Sequence, residues 1–418
     1  MHRRSLRVLA LVVTALMSQA AVADAYTQDP YNSAYNNMQS NNCWCVPAAA
    51  RTWVMYITGG TAPSQSTMET YAQSGNKYSW GACPSGGPGG NDPRGWAWAM
   101  YDATPAGYGF NDYMSTSQIT MDWEFVYGIR AEAHPDGALV AYGKHAVDVV
   151  GYYTLNDPNS SLQQTLYGFY LLDPWYGRGA SGLPNWYNGF SPNSYVTIAN
   201  WNSLYFRLDT NDGAYWNNKY VAVLRNSTGV APSDNPPVSY GDLHVGGLAP
   251  ASMGASTLAG AIVSPTIQDA VTLGLRQNDL EHGGALGVDL TGYSIGPSVH
   301  VDSLASELPS YDLAQIMVGG RLAAVAMVSE IGPDYAFAGI TPWSGSFPLG
   351  SSSAMASALA SNGMGGTARL VWAWADEGGS PFTPFVEATD IITGAPAYLS
   401  VTGRHDSIHL VPGETPAH

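Results

Sequence analysis

Lysine is nearly missing from this chain. Among 418 residues it occurs only at positions 77, 144 and 219, and 11% of all residues are charged. With a formal net charge of -16 the chain offers no basic surface for a phosphate backbone, which speaks against a nucleic-acid partner. Long apolar runs are missing as well: no stretch beyond the N-terminus approaches the ~20 apolar residues of a membrane span. Cysteine is scarce, with three in all, at 43, 45 and 83. Neither these cysteines nor the histidines of the first half cluster at ligand spacing, so no metal and no cofactor is expected. No internal repeat is evident, and nothing in the sequence fixes an oligomeric state.

The apolar run that does occur is short. VLALVVTALM follows Arg3, Arg4 and Arg7 and precedes the small-residue stretch AVADA. This is the layout of a secretory signal peptide over residues 1–25, cleaved after Ala23 or Ala25, and it implies a secreted, extracellular protein. In oxidising surroundings three cysteines reduce most simply to one disulfide and one leftover thiol.

Composition shifts near residue 230. Ten of the 13 tryptophans lie at or before Trp216, and residues 231–262 are rich in Pro, Gly, Ala and Ser with little periodicity. The expected organisation is a first domain over 26–230, a linker over 231–262, and a second, small α+β domain over 263–418 without a chemical motif. In the first domain a helix is predicted from Pro47 to Ile57, a second over STMETYAQSG and a third over WAWAMYDAT. Strands are predicted in GALVAY, KHAVDVVGYY, TLYGFYLLD and SYVTIANWNSLYF. In the second, SYDLAQIMVGGRLAAVAMVSEI reads as a hairpin about its Gly-Gly, an Ala/Ser helix is expected at 352–361, and strands in ARLVWAWAD, PFTPFVEATDI and PAYLSVTG. Helices first and an antiparallel sheet afterwards make the fold class α+β.

The stretch NNCWCVPAAARTWVMY places two cysteines one tryptophan apart at the mouth of the first helix. Cys45 immediately precedes Val46 and Pro47. A thiol there faces unpaired N–H groups and the positive end of the helix dipole, both of which favour the thiolate. His145 opens a predicted strand two residues after Gly143, and Asp173 ends the next one. An imidazole can take the thiol proton, and a carboxylate can fix the imidazole's tautomer. Each residue also has an ordinary use: cysteine buried at a helix end, histidine packed on a strand, aspartate opening a turn before Pro174.

Taken together, QSNNCWCVPAAA, GKHAVDVVGYY and YLLDPWYG resemble the three motifs of secreted bacterial papain-like cysteine peptidases, in the branch similar to bacteriocin-processing (double-glycine) peptidases. The resemblance covers roughly residues 35 to 220. It implies N-terminal helices packed on an antiparallel sheet, a peptide or protein substrate, and a Cys45–His145–Asp173 triad. It adds Gln39, six residues before Cys45, as a side-chain donor to the oxyanion. It selects Cys45 over Cys43 as nucleophile and pairs Cys43 with Cys83, although the family's usual spacing between the two N-terminal cysteines is three and here it is two. Closing that loop of about 40 residues would stabilise by ~3–4 kcal/mol. The resemblance also implies that Gly86 and Gly87 line the substrate groove and that Trp175 shields the His–Asp pair. Two alternatives share the sequence features: an acyl transferase or amidase on the same scaffold, and a non-catalytic binding or adhesion module.

Overall fold

Helices begin where the sequence supplies a cap. Ser64 accepts from the Thr67 N–H and starts α2 (Gln65–Gly75). Asp92 accepts from Gly95, with Pro93 in the first turn, where its missing N–H costs nothing, and starts α3 (Pro93–Ala103). Ser117 caps α4 (Gln118–Glu132), and Thr266 caps α5 (Ile267–Gln277). α1 (Cys45–Thr58) is the exception: Trp44 stands at its cap position and makes no side-chain cap hydrogen bond. A last helix, α6, spans Ser352–Ser361. The computed structural model describes residues 25–28, 32, 34–41, 43–79, 90–158, 164–175, 193–226, 229–233, 257–282, 285–305, 308–343, 347, 352–374, 380–400 and 403–405. The expected signal peptide (apart from Ala25) and most of the 231–262 linker lie outside them.

The fold class is α+β, built on a large, mostly antiparallel sheet. Its strands are β1 (Ala25–Gln28), β2 (Gly109–Ser115), β3 (Asp136–Val140), β4 (His145–Leu155), β5 (Thr165–Leu172), β6 (Asn193–Thr197) and β7 (Tyr220–Asn226). They continue with β8 (Thr257–Leu258), β9 (Val263–Ser264), β10 (Ser294–Ser303), β11 (Tyr311–Val318), β12 (Arg321–Ile331) and β13 (Asp334–Pro342). Neighbours run β2–β7–β3–β4–β5–β6–β13–β12–β11–β10. A smaller antiparallel group, β14 (Met364–Trp372), β15 (Phe385–Asp390), β16 (Pro396–Ser400) and β17 (Gly403–His405), joins the end of β10 through a short parallel pairing with β14.

The β11–β12 hairpin turns on Gly319 and Gly320, both with positive φ, at the Gly-Gly where the sequence places it. SYVTIANWNSLYF departs from expectation. It leaves the sheet after Thr197, whose hydroxyl accepts from the Asn200 N–H, and coils through Ile198–Asn200 and Trp201–Tyr205. The coil turns Trp201 inward against Phe125, Phe169 and Phe206. α4 has no counterpart among the expected elements. Every residue from Met121 to Ile129 is buried, so it shows no polar face and no helical period of hydrophobicity.

The first and second regions share sheet and core. β6 pairs with β13 (Gly339↔Val196, Ile340↔Tyr195), and one hydrophobic cluster contains Phe125, Phe169 and Trp201 together with Leu313, Trp372 and Trp374. Fully burying one such side chain is worth about 1.5–3 kcal/mol, so this shared core is a large part of what holds the regions together. Among the described residues no helix is long and apolar enough to cross a membrane.

Candidate functional site

α1 points its N-terminus at the site. Its other side is anchored by Ala49, Ala50, Trp53 and Val54, which pack with Trp96, Phe110 and Trp216. Trp44 supplies no side-chain hydrogen bond to the helix start, and Cys45 is the first helical residue there. Cys45 is the free cysteine among the described residues and is half-buried, whereas Cys43 is disulfide-bonded. Cys83, together with Gly86 and Gly87, lies outside the described residues.

His145 is the first residue of β4, and Asp173 follows the last residue of β5. The two strands are antiparallel, with Asp148 opposite Leu172, so the start of one lies beside the end of the other. That is how residues 28 apart in sequence meet: His145 Nε2 lies 2.8 Å from Asp173 Oδ1. The same oxygen accepts from the Trp175 N–H at 2.9 Å, which fixes the carboxylate. His145 is 1% exposed and Asp173 3%. Burial alone would lower the His145 pKa, but the Asp173 charge and hydrogen bond, with a smaller contribution from neighbouring Cys45, raise it to about 10. Nδ1, the nitrogen not taken by Asp173, is buried and closes no hydrogen bond within normal distance among the described residues, although the Cys45 side chain is near enough to act on the ring.

The turn that delivers His145 is unusual. Ala141, Tyr142 and Gly143 have φ of 55°, 60° and 88° in succession. A Cβ added at Gly143 would stand 2.6 Å from Asp209 Oδ2. Gly143→Ala is therefore expected to cost ~1–3 kcal/mol, from the left-handed backbone and the crowding together, and to displace His145. An unchanged urea midpoint would contradict this.

Gln39 is buried, 1% exposed. Its main-chain N–H donates to the Pro174 carbonyl at 2.8 Å, so the loop before α1 hangs on the Asp173–Pro174 turn. Its side-chain amide donates to the Asn41 carbonyl at 3.1 Å, inside the bend that leads to Cys45. Gln65 on α2 braces this loop from outside, donating to Met38 O and accepting from Ser40 N. The structure thus brings Gln39, Cys45, His145 and Asp173 together.

Trp175 enters the site through its main chain. Its ring is 1% exposed, within the core, and the ring beside His145 is that of Trp374, tilted at 6.2 Å between centroids. Trp374 follows β14 in the second region. Its indole N–H donates to Leu204 O at 2.8 Å, and it packs on Trp372 and Tyr205. Sequence reasoning assigned it no role. The alternation VWAWAD, which sets Trp372 and Trp374 on one face, is the signal that could have marked it.

Chemically, the arrangement supplies a thiol at an uncapped helix start, an imidazole held by a carboxylate, and a buried amide donor nearby. These are the parts of nucleophilic acyl transfer. The two described recesses, one lined by Tyr167, Leu273 and Phe337 and one by Arg276, His282 and Tyr293, do not include these four residues. No family model, curated protein or solved structure matches the chain.

Proposed function

We propose that this chain is a secreted cysteine peptidase on a papain-like scaffold. Cys45 Sγ attacks the scissile carbonyl as His145 Nδ1 takes or already holds the thiol proton. The Cys45 main-chain N–H and the second side-chain N–H of Gln39 donate to the oxyanion. His145 then protonates the leaving amine, and water hydrolyses the acyl-enzyme with His145 as base. Asp173 keeps the ring oriented, and the Cys43–Cys83 disulfide staples the loop in front of α1. The observation that carries this proposal is the buried 2.8 Å His145–Asp173 bond beside the free thiol of Cys45.

The test is digestion of a proteome-derived peptide library by the chain lacking residues 1–25, with iodoacetamide labelling followed by peptide mapping. One label on Cys45 and parallel loss of cleavage are expected. A label on Cys43, or cleavage untouched by labelling, would overturn the assignment. Amine acceptors in the same assay separate hydrolysis from transfer, because the acyl-enzyme is common to both.

A further inference from the structure

His300, Asp312 and Glu330 are far apart in the sequence and show no ligand spacing. The sheet collects them. His300 on β10 is the cross-strand partner of Asp312 on β11, and Glu330 lies on β12, two residues beyond Val328, the partner of Asp312. The period of two along a strand puts all three side chains on one face. One ligand atom from each lies within 4.8 Å of the others.

The spacing within the group differs from that of an ion-pair cluster. His300 Nδ1 stands 3.7 Å from Asp312 Oδ1 and 3.5 Å from Glu330 Oε1. A charge-assisted hydrogen bond would close to about 2.7–2.9 Å, and neither carboxylate has done so. Ligands at about 2.0–2.1 Å around a tetrahedral ion stand about 3.3–3.4 Å apart, close to what is seen. Two further features point the same way. Asp312 is 7% exposed, and its carboxylate, paired with His300 at 3.7 Å, faces the group from the buried side. On the far side of the ring, His300 Nε2 lies 3.4 Å from Asp302 Oδ1, and Asp302 is held by Arg369. Asp302 thus stands behind the second ring nitrogen, where a carboxylate commonly supports a metal-bound histidine. His300 and Glu330 are exposed, so a fourth position opens to solvent.

We propose that His300 Nδ1, Asp312 and Glu330 bind a divalent transition-metal ion of the zinc class on the outer face of the β10–β11–β12 sheet. This site is independent of Cys45 and of the peptidase proposal.

Isothermal titration of zinc chloride into the full chain carrying Cys45→Ser, which removes the competing thiol, tests it. One saturable site is expected, with zinc raising the melting temperature by mass action. His300→Ala and Glu330→Gln are each expected to weaken binding by at least ~10-fold, and Asp302→Asn by ~10-fold or less while the site remains. The proposal is overturned if no saturable heat appears up to about 1 mM zinc, or if His300→Ala binds as tightly as the parent. A loss of stability in His300→Ala, with no zinc binding by the parent, would identify the group as an ion-pair cluster instead.

Discussion

Cys45→Ala is expected to remove turnover by ~10⁴-fold or more while the fold survives, and Asp173→Asn to move the alkaline limb of activity towards neutral pH. Cys45 is half-buried at the first residue of α1, and the helix is anchored elsewhere by Trp53 and its neighbours, so removing one sulfur costs little packing. Asp173→Asn separates charge from geometry. The asparagine oxygen can still accept from Trp175 and from His145 Nε2, but the negative charge is gone. The Asp173 charge and hydrogen bond are the principal causes that raise His145 to about 10 against burial. Without the charge, burial lowers the imidazole and the imidazolium is lost at a lower pH. Activity at neutral pH should fall by ~10²-fold or more, with the limb displaced by more than about one pH unit. The pH dependence of kcat/KM for parent and variant checks this. A limb that stays in place in Asp173→Asn, or turnover surviving in Cys45→Ala, would remove the triad from the mechanism.

The second large effect is a stability that rises in acid. Asp122 on α4 accepts from Trp201 Nε1 at 2.9 Å but is fully buried, and burial pushes its carboxyl up to about 7. Asp136 is driven well above its ordinary value by burial and by Glu124 and Asp148, and Asp148 by burial. A group whose folded pKa is raised contributes stability that is fully present below its unfolded value and is lost as pH rises through the folded one. For Asp122 that window runs from about 4 to about 7, and its contribution is at most ~4 kcal/mol. His145, raised from 6.5 to about 10, acts with the same sign at higher pH. The melting temperature should therefore fall by several degrees between pH 5 and pH 9. Asp122→Asn keeps the acceptor for Trp201 and cannot ionise, so it should melt higher than the parent at pH 8 and show a shallower slope. A flat or rising profile for the parent would refute this account.

Much of the local structure was legible in the sequence. Ser64, Asp92 and the Gly319–Gly320 turn act within a few residues, through a hydroxyl or carboxylate that reaches the next turn or a backbone that needs positive φ. The approximate places of α1, α2, α3, β4 and β5 followed from periodicity and the turn residues between segments, while the Ser64 and Asp92 caps were seen only in the structure. The buried helix α4 and the coil after Thr197 were not legible. α4 has no polar face to betray its period, and the coil after Thr197 is imposed by the pocket that receives Trp201.

By itself the sequence determined which side chains can do chemistry and which short segments carry them: a thiol at a helix start, a histidine opening one strand, an aspartate closing another. Only the tertiary structure decided who meets whom. Antiparallel pairing of β4 with β5 joins His145 to Asp173. Continuity of the sheet from β6 into β13 and a common core bring Trp374 of the second region against His145. The order β10–β11–β12 gathers His300, Asp312 and Glu330. The physical reason is range. Caps, turns and alternation are set by neighbours along the chain, whereas strand order, burial and the charge state of Asp122 and His145 depend on groups remote in sequence, which become neighbours only on folding.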